Sequence, residues 1–142
     1  MRLQPGSLSG YWQNWGGDHR NVTTRISSEG GAKARLEHRM ADATANPYTA
    51  TAAVLHAALL GVENGYALPP IETGDGFENT DAKTGTAIDL KGAVADLEAD
   101  TALSEAVGAE LVANHVYMKR KEAQKTRDLE GDALRDFYVY FV

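Results

Sequence analysis

The densest chemistry in the chain lies in five consecutive residues, Arg35-Leu36-Glu37-His38-Arg39. In an extended strand successive side chains point to opposite faces. Arg35, Glu37 and Arg39 therefore share one face, and Leu36 and His38 take the other. A cation, an anion and a cation in a row read either as an exposed ion-pair ladder, which contributes little, or as a site. The segment upstream bears on the choice: Arg20 and Arg25 bracket a β-branched run, so up to four guanidiniums and one carboxylate converge. Arg presents a planar fork of donors that matches carboxylate and phosphate oxygens, and it does not lose its charge. The lone carboxylate is not needed for charge balance. It suits a ligand to a divalent metal that itself sits on phosphate oxygens.

The elements that must hold this row are legible as a change of period. From Ser9 to about Arg39 the chain reads as short extended segments. Tyr11, Trp12 and Trp15 favour strand, Asn21-Val22-Thr23-Thr24-Arg25-Ile26 is β-branched, and Ala34 to Met40 alternates. Ser28-Glu29-Gly30-Gly31 is a turn or loop. After Met40 the period becomes helical. Asn46-Pro47 supplies an N-cap and a proline at the first helical position. The small apolar run that follows predicts a helix to about Leu60, ended by Gly61 or Gly65 and buried on most sides. Residues 64 to 88 form a long polar connection with Pro69, Pro70 and four glycines, either functional or carrying local structure. Asp89 caps a helix to about Ala99. A second helix starts near Asp100, breaks at Gly108 and continues past Glu122, and Gly131-Asp132 opens a last one. The expected fold is α+β: a small antiparallel sheet in the first third, then a helical C-terminal part with at least four helices.

Composition narrows the classes. The chain has 142 residues, 43% of them apolar and 24% charged, with a net charge of −6. That is an ordinary globular composition, and the acidic balance argues against wholesale nucleic-acid binding. The charge is divided, however: residues 1–40 sum to +3 and the rest to −9, so an anion-binding surface precedes an acidic helical body. With no Cys there is no disulfide framework, thiolate metal site or Cys nucleophile. No run approaches the roughly 20 apolar residues of a membrane span, and no signal peptide opens the sequence. A cytoplasmic protein with no membrane and no nucleic-acid partner is expected.

The residues also match a known pattern. Arg35-Leu36-Glu37-His38-Arg39-Met40-Ala41-Asp42, followed by Asn46-Pro47-Tyr48, resembles the glutamine synthetase signature Arg-x-Glu-x-Arg and then Asp-x-x-x-Asn-Pro-Tyr. Arg2-Leu3-Gln4-Pro5-Gly6 is similar to the family's Arg-Leu-x-Pro-Gly segment. Asp18-His19-Arg20 through Arg25-Ile26 is similar to its Asn-Arg-x-x-x-x-Arg-Ile/Val strand. The loop before Arg35 is shorter by about a residue. The resemblance runs over essentially all of residues 1–142 and covers the last third of a family member, the C-terminal portion of the catalytic domain.

It implies a ligase that uses ATP and Mg²⁺ or Mn²⁺ to convert glutamate to γ-glutamyl phosphate, which ammonia or an organic amine attacks. By resemblance Glu37 is a metal ligand, Arg2 and Arg39 grip the substrate glutamate, and Arg20, Arg25 and Arg35 bind ATP phosphates. Arg20 and Arg39 are the catalytic residues in that assignment. Such phosphoryl transfer depends on positioning and charge neutralisation. The family's remaining metal ligands, the base for the incoming ammonium and most of the nucleotide pocket are expected upstream of this segment, so the isolated chain is expected to be inactive. The alternative is a non-catalytic remnant that serves as a binding or assembly module. Gly74-Asp75-Gly76-Phe77-Glu78-Asn79 offers no Tyr where the bacterial branch has a regulatory one, so nucleotidylation there is not expected. His56 and His115 read as packed or surface residues, and His19 as either lining the site or orienting its strand. Trp12 and Trp15 read as core or as the mark of an amine-using subfamily. The aromatic end Phe137-Tyr138-Val139-Tyr140-Phe141 and the family's ring-shaped assemblies suggest a homo-oligomer.

Overall fold

The computed structural model describes residues 3–6, 10–27, 29–77 and 80–141. Arg2 lies outside them. Two compact units divide the chain, one of residues 1–43 with 61–88 and one of residues 44–60 with 89–142.

The first unit is built on three strands of three residues each: β1 (Trp15–Gly17), β2 (Thr24–Ile26) and β3 (Leu36–His38), in that spatial order. β2 and β3 pair antiparallel, with Thr24 opposite His38, Arg25 opposite Glu37 and Ile26 opposite Leu36. That pairing follows the expectation. β1 departs from it and runs parallel to β2, with Gly16 beside Arg25. A parallel return normally needs a long crossover, but a three-residue strand spans only about 10 Å, and residues 18–23 cover that distance. Asp18 turns the chain at φ 47. The buried Asn14 fixes the return: its Oδ1 accepts the Thr23 amide at 3.1 Å, and its carbonyl accepts the Thr23 hydroxyl at 2.8 Å and the Thr24 amide at 3.2 Å.

The long connection carries local structure of its own. Its backbone bonds the segment around β1, through the Gln13 amide to the Thr84 carbonyl, the Thr86 amide to the Tyr11 carbonyl and the Glu72 amide to the Trp15 carbonyl, each at 2.9 Å. Both indoles hold it as well: Trp12 Nε1 donates to the Phe77 carbonyl at 3.1 Å and Trp15 Nε1 to the Pro69 carbonyl at 2.8 Å. Gly76 comes so near the chain that a Cβ there would lie 2.2 Å from the Asn21 carbonyl oxygen.

Helix α1 (Pro47–Glu63) starts where the cap signals put it, with Asn46 Oδ1 accepting the amides of Tyr48 and Thr49 at 3.0 and 3.3 Å. Such a cap contributes about 1 kcal/mol. The helix runs through Gly61 and closes at Gly65, whose φ of 60 suits a helix end. Its expected burial is not found. No residue of α1 is buried, and Tyr48, Leu55, Leu59 and Val62 are 84%, 63%, 50% and 81% exposed. At 100° per residue these four fall on one stripe, and nothing among the described residues covers it.

In the second unit α2 (Leu90–Ala99), α3 (Thr101–Val107) and α4 (Ala109–Thr126) pack on one another, with Val94 and Val116 buried. Asp89 and Asp100 cap α2 and α3 by accepting the Gly92 and Leu103 amides at 2.6 and 2.9 Å. Gly108, at φ 119, separates α3 from α4 as expected. Helix α5 (Gly131–Tyr138) is tied to α4 by the Tyr138 hydroxyl, which donates to Glu122 Oε1 at 2.7 Å. Among the described residues no helix is long and apolar enough to cross a membrane.

Candidate functional site

The β2–β3 register decides which side chains meet. Because Arg25 stands opposite Glu37, their side chains share a face and pair directly: Arg25 Nη1 donates to Glu37 Oε1 at 2.8 Å. Arg35, two residues before Glu37 on the same face, brings its Nε to 3.4 Å from the same oxygen and donates through Nη1 to Ser27 Oγ at 3.2 Å. Arg25 Nη2 reaches the other way, to Asp18 Oδ1 at 2.9 Å. The Arg25 hydrogen bond holds the Glu37 carboxyl below its usual value against some desolvation, helped by Arg35. In return Glu37, then Asp18, keep the Arg25 guanidinium more firmly protonated than usual.

Arg39 continues the row, its amide bonded to the Thr23 carbonyl at 2.8 Å. Its guanidinium donates to the Arg20 carbonyl, which brings the start of the β1–β2 return to the end of β3. Among the described residues neither Arg20 nor Arg39 pairs with a carboxylate. The structure thus joins Arg25, Arg35 and Glu37 side chain to side chain, and attaches Arg39 to Arg20 through the latter's backbone. His19 does not join the row. Its Nδ1 accepts the Asn21 amide and its Nε2 donates to the Gly74 carbonyl, so the ring orients the return and ties it to the connection. His38 lies on the opposite strand face, as alternation requires.

Two features escaped sequence reasoning. Asp18 is one; it was visible only as part of a motif. The other is a cavity of about 340 Å³ in the first unit, lined by Gln13, Asn14, Glu72, Thr80 and Lys83 among others and by none of the Arg row. Thr80 first, then the Gly74 and Thr73 amides, hold Glu72 below its usual value against desolvation.

Chemically, the guanidinium forks of the row match phosphate or carboxylate oxygens, and Glu37 sets one hard oxygen donor group among them. Glu37 fits one coordination position of Mg²⁺ or Mn²⁺, which take carboxylate oxygens. Among the described residues no group of three or more His, Asp or Glu could hold a metal by itself.

A small sheet presenting guanidiniums around one carboxylate, followed by helices, defines an α+β protein with a guanidinium-lined sheet face. The family model described as glutamine synthetase, catalytic domain, matches residues 1–138. A glutamine synthetase of Pyrococcus abyssi is 33% identical over 133 residues, covering 85% of this chain and 29% of its own length. One of Methanocaldococcus jannaschii is 31% identical over 127 residues, covering 85% of this chain and 28% of its own. A solved structure titled "Apo GmaS without ligand" superposes with a TM-score of 0.77 at 30% identity, over 90% of this chain and 30% of that one. The chain belongs to the glutamine synthetase family. It spans about three tenths of the length of these relatives.

Proposed function

We propose that the chain is the C-terminal portion of a glutamine synthetase-like catalytic domain and serves the ATP-dependent amidation of glutamate through γ-glutamyl phosphate, with ammonia or an organic amine as acceptor. The observation that carries this is the Arg25–Glu37–Arg35 cluster with Arg39 two residues on, in a chain whose family model matches nearly end to end. In this reading Arg20, Arg25 and Arg35 take ATP phosphate oxygens. Arg2 and Arg39 take the glutamate carboxylates, and Arg20 and Arg39 neutralise the charge of the transferring group. Glu37 gives one ligand to Mg²⁺ or Mn²⁺; when bound, the ion draws charge off the phosphates. The guanidinium forks orient the anions, and the β2–β3 register fixes the spacing between them. The other metal ligands belong to polypeptide outside these 142 residues. That polypeptide also covers the exposed stripe of α1, and the working protein is a cytoplasmic homo-oligomer. The exposed Val139 and Tyr140 near the chain end support assembly.

Titration calorimetry of the isolated chain with ATP and Mg²⁺ tests this reading. The Arg35–Arg39 row and its neighbours carry a positive sum, so binding weakens as the Debye length shrinks from about 10 Å at 0.1 M salt to about 3 Å at 1 M. Arg39→Ala lowers the affinity for glutamate. No ATP binding at low salt would overturn the reading. That no group of three or more metal-ligating side chains stands among the described residues favours the second reading for the chain by itself, a module that binds and does not turn over. With glutamate, ATP, Mg²⁺ and ammonium or methylamine it releases no phosphate above background. Turnover that Arg39→Ala abolishes would show that the chain is catalytic alone.

A further inference from the structure

Arg25 is held unlike the other members of its row. Its guanidinium is gripped from both sides, by Glu37 of β3 at Nη1, 2.8 Å, and by Asp18 at the end of β1 at Nη2, 2.9 Å. The Arg25 side chain is 15% exposed, and its Nε is buried without a partner, so the two carboxylates alone settle where the fork points. Asp18 is fixed in turn. Its amide donates to the Ile26 carbonyl at 2.9 Å, next to Arg25 in β2, and its φ of 47 belongs to a turn held by the Asn14 and His19 bonds. An Asp in the left-handed region is uncommon and persists where the surroundings determine it.

We propose that Asp18 is a positioning residue that fixes the Arg25 guanidinium for a phosphate oxygen independently of Glu37. The inference rests on the reading of this row as an ATP site. Glu37 in that reading is shared with a cation, and an Arg held by Glu37 alone would turn away whenever the carboxylate was drawn elsewhere. The second carboxylate removes that dependence. Each terminal nitrogen spends one N–H on its acid and keeps a second for a ligand. Sequence parity concealed this, because Asp18 and Arg25 meet only through the parallel β1–β2 pairing.

Charge and position make opposite predictions, which makes the inference testable. Were Asp18 merely a negative charge near the site, neutralising it would tighten anion binding. As a positioning group, its removal weakens binding although the site becomes more positive. Asp18→Gly deletes the side chain at a φ that glycine adopts freely, and Asp18→Asn keeps an acceptor oxygen on a residue that tolerates the same φ. The probe is ATP in excess EDTA with Glu37→Gln as the background, which takes both the cation and Glu37's charged grip on Arg25 out of the measurement. Asp18→Gly is expected to lose about tenfold in ATP affinity, on the scale of one charge-assisted hydrogen bond, and Asp18→Asn to recover most of it. A readout without ligand accompanies this: in ¹⁵N spectra the Arg25 Nη signals are resolved by restricted rotation in the native chain, in Asp18→Asn and in Glu37→Gln, and averaged when Asp18→Gly is combined with Glu37→Gln. Equal or tighter ATP binding by Asp18→Gly in the Glu37→Gln background, or Arg25 signals already averaged in the native chain, overturns the proposal. Arg25 signals resolved in a native chain that binds no ATP would instead overturn the nucleotide reading of the row, and the phosphate role of Asp18 with it.

Discussion

Replacing Leu55 and Leu59 of α1 together by Gln measures whether that helix is part of this chain's own core. Leu55 and Leu59 lie four residues apart on the exposed stripe, 63% and 50% accessible. Gln has a similar volume and good helix propensity, so the exchange removes δ-methyl groups and adds an amide. Where the amide reaches water, each change falls within about 0.5 kcal/mol, and the double variant loses at most about 1 kcal/mol. Were the stripe buried, each change would forfeit about 1.5–3 kcal/mol of transfer free energy. Desolvating an unpaired amide adds about 1–3 kcal/mol per site, so the pair would cost at least about 5 kcal/mol. The two cases differ enough to separate by urea unfolding followed by far-UV circular dichroism. The small value is expected at low protein concentration. A loss near 5 kcal/mol that does not vary with concentration would refute the exposure of α1, and one that appears only at high concentration would show that second copies cover the stripe.

Other outcomes follow from single contacts. Tyr138→Phe deletes the donor to Glu122 and should cost about 1 kcal/mol: a hydrogen bond to a charged acceptor contributes about 1.5–3 kcal/mol, discounted because both groups keep contact with water. Unchanged urea unfolding would mean that α5 is held by other contacts. Burial pushes the Glu122 carboxyl up, but the Lys119 and Tyr138 donors outweigh it and hold the group below its usual 4.5, as Arg25 holds Glu37. Folded values below the unfolded one make both contributions complete above about pH 4.5 and lost as pH falls further. The Tyr138→Phe penalty should therefore shrink in acid, and a penalty that grew there would reverse the sign argued here. Gly76→Ala sets a Cβ against the Asn21 carbonyl oxygen and should destabilise the first unit by about 1–3 kcal/mol; an unchanged melting temperature would place that backbone farther off.

What the sequence revealed and what it concealed divide along a physical line. Helix starts were legible because a cap is local: Asn46, Asp89 and Asp100 each bond an amide two or three residues on. The Arg35-Glu37-Arg39 face was legible because alternation is a property of one strand. The direction of β1 was not, since it depends on the turn at Asp18 and on Asn14 reaching across nine residues to Thr23. Nor was the role of Trp12 and Trp15, whose indoles bond carbonyls 65 and 54 residues away. The composition of α1 showed correctly that it is apolar and said nothing of what would cover it, because periodicity identifies a face and not its partner.

The same distinction explains the form of the site. Backbone register sets the row: Arg25 meets Glu37 because β2 and β3 are antiparallel in one particular frame, and a slip by one residue would send Glu37 to the other face. Three-residue strands are a weak guarantee of register by themselves. What holds the frame lies at its ends: the Arg39 amide on the Thr23 carbonyl, the Ser27 amide on the Arg35 carbonyl at 3.0 Å and the Asp18 amide on the Ile26 carbonyl. Arg25 and Glu37 then lock the centre by charge, and the indoles and Asn14 anchor the return and the connection beside them. The guanidinium row is thus specified entirely by residues of this chain's first unit. Glu37 is the one carboxylate between Arg25 and Arg35, and no group of three or more His, Asp or Glu that could hold a metal stands among the described residues. Register and its end bonds thus fix how the guanidiniums stand around Glu37, with no second acidic cluster of that kind among the described residues contributing to the arrangement.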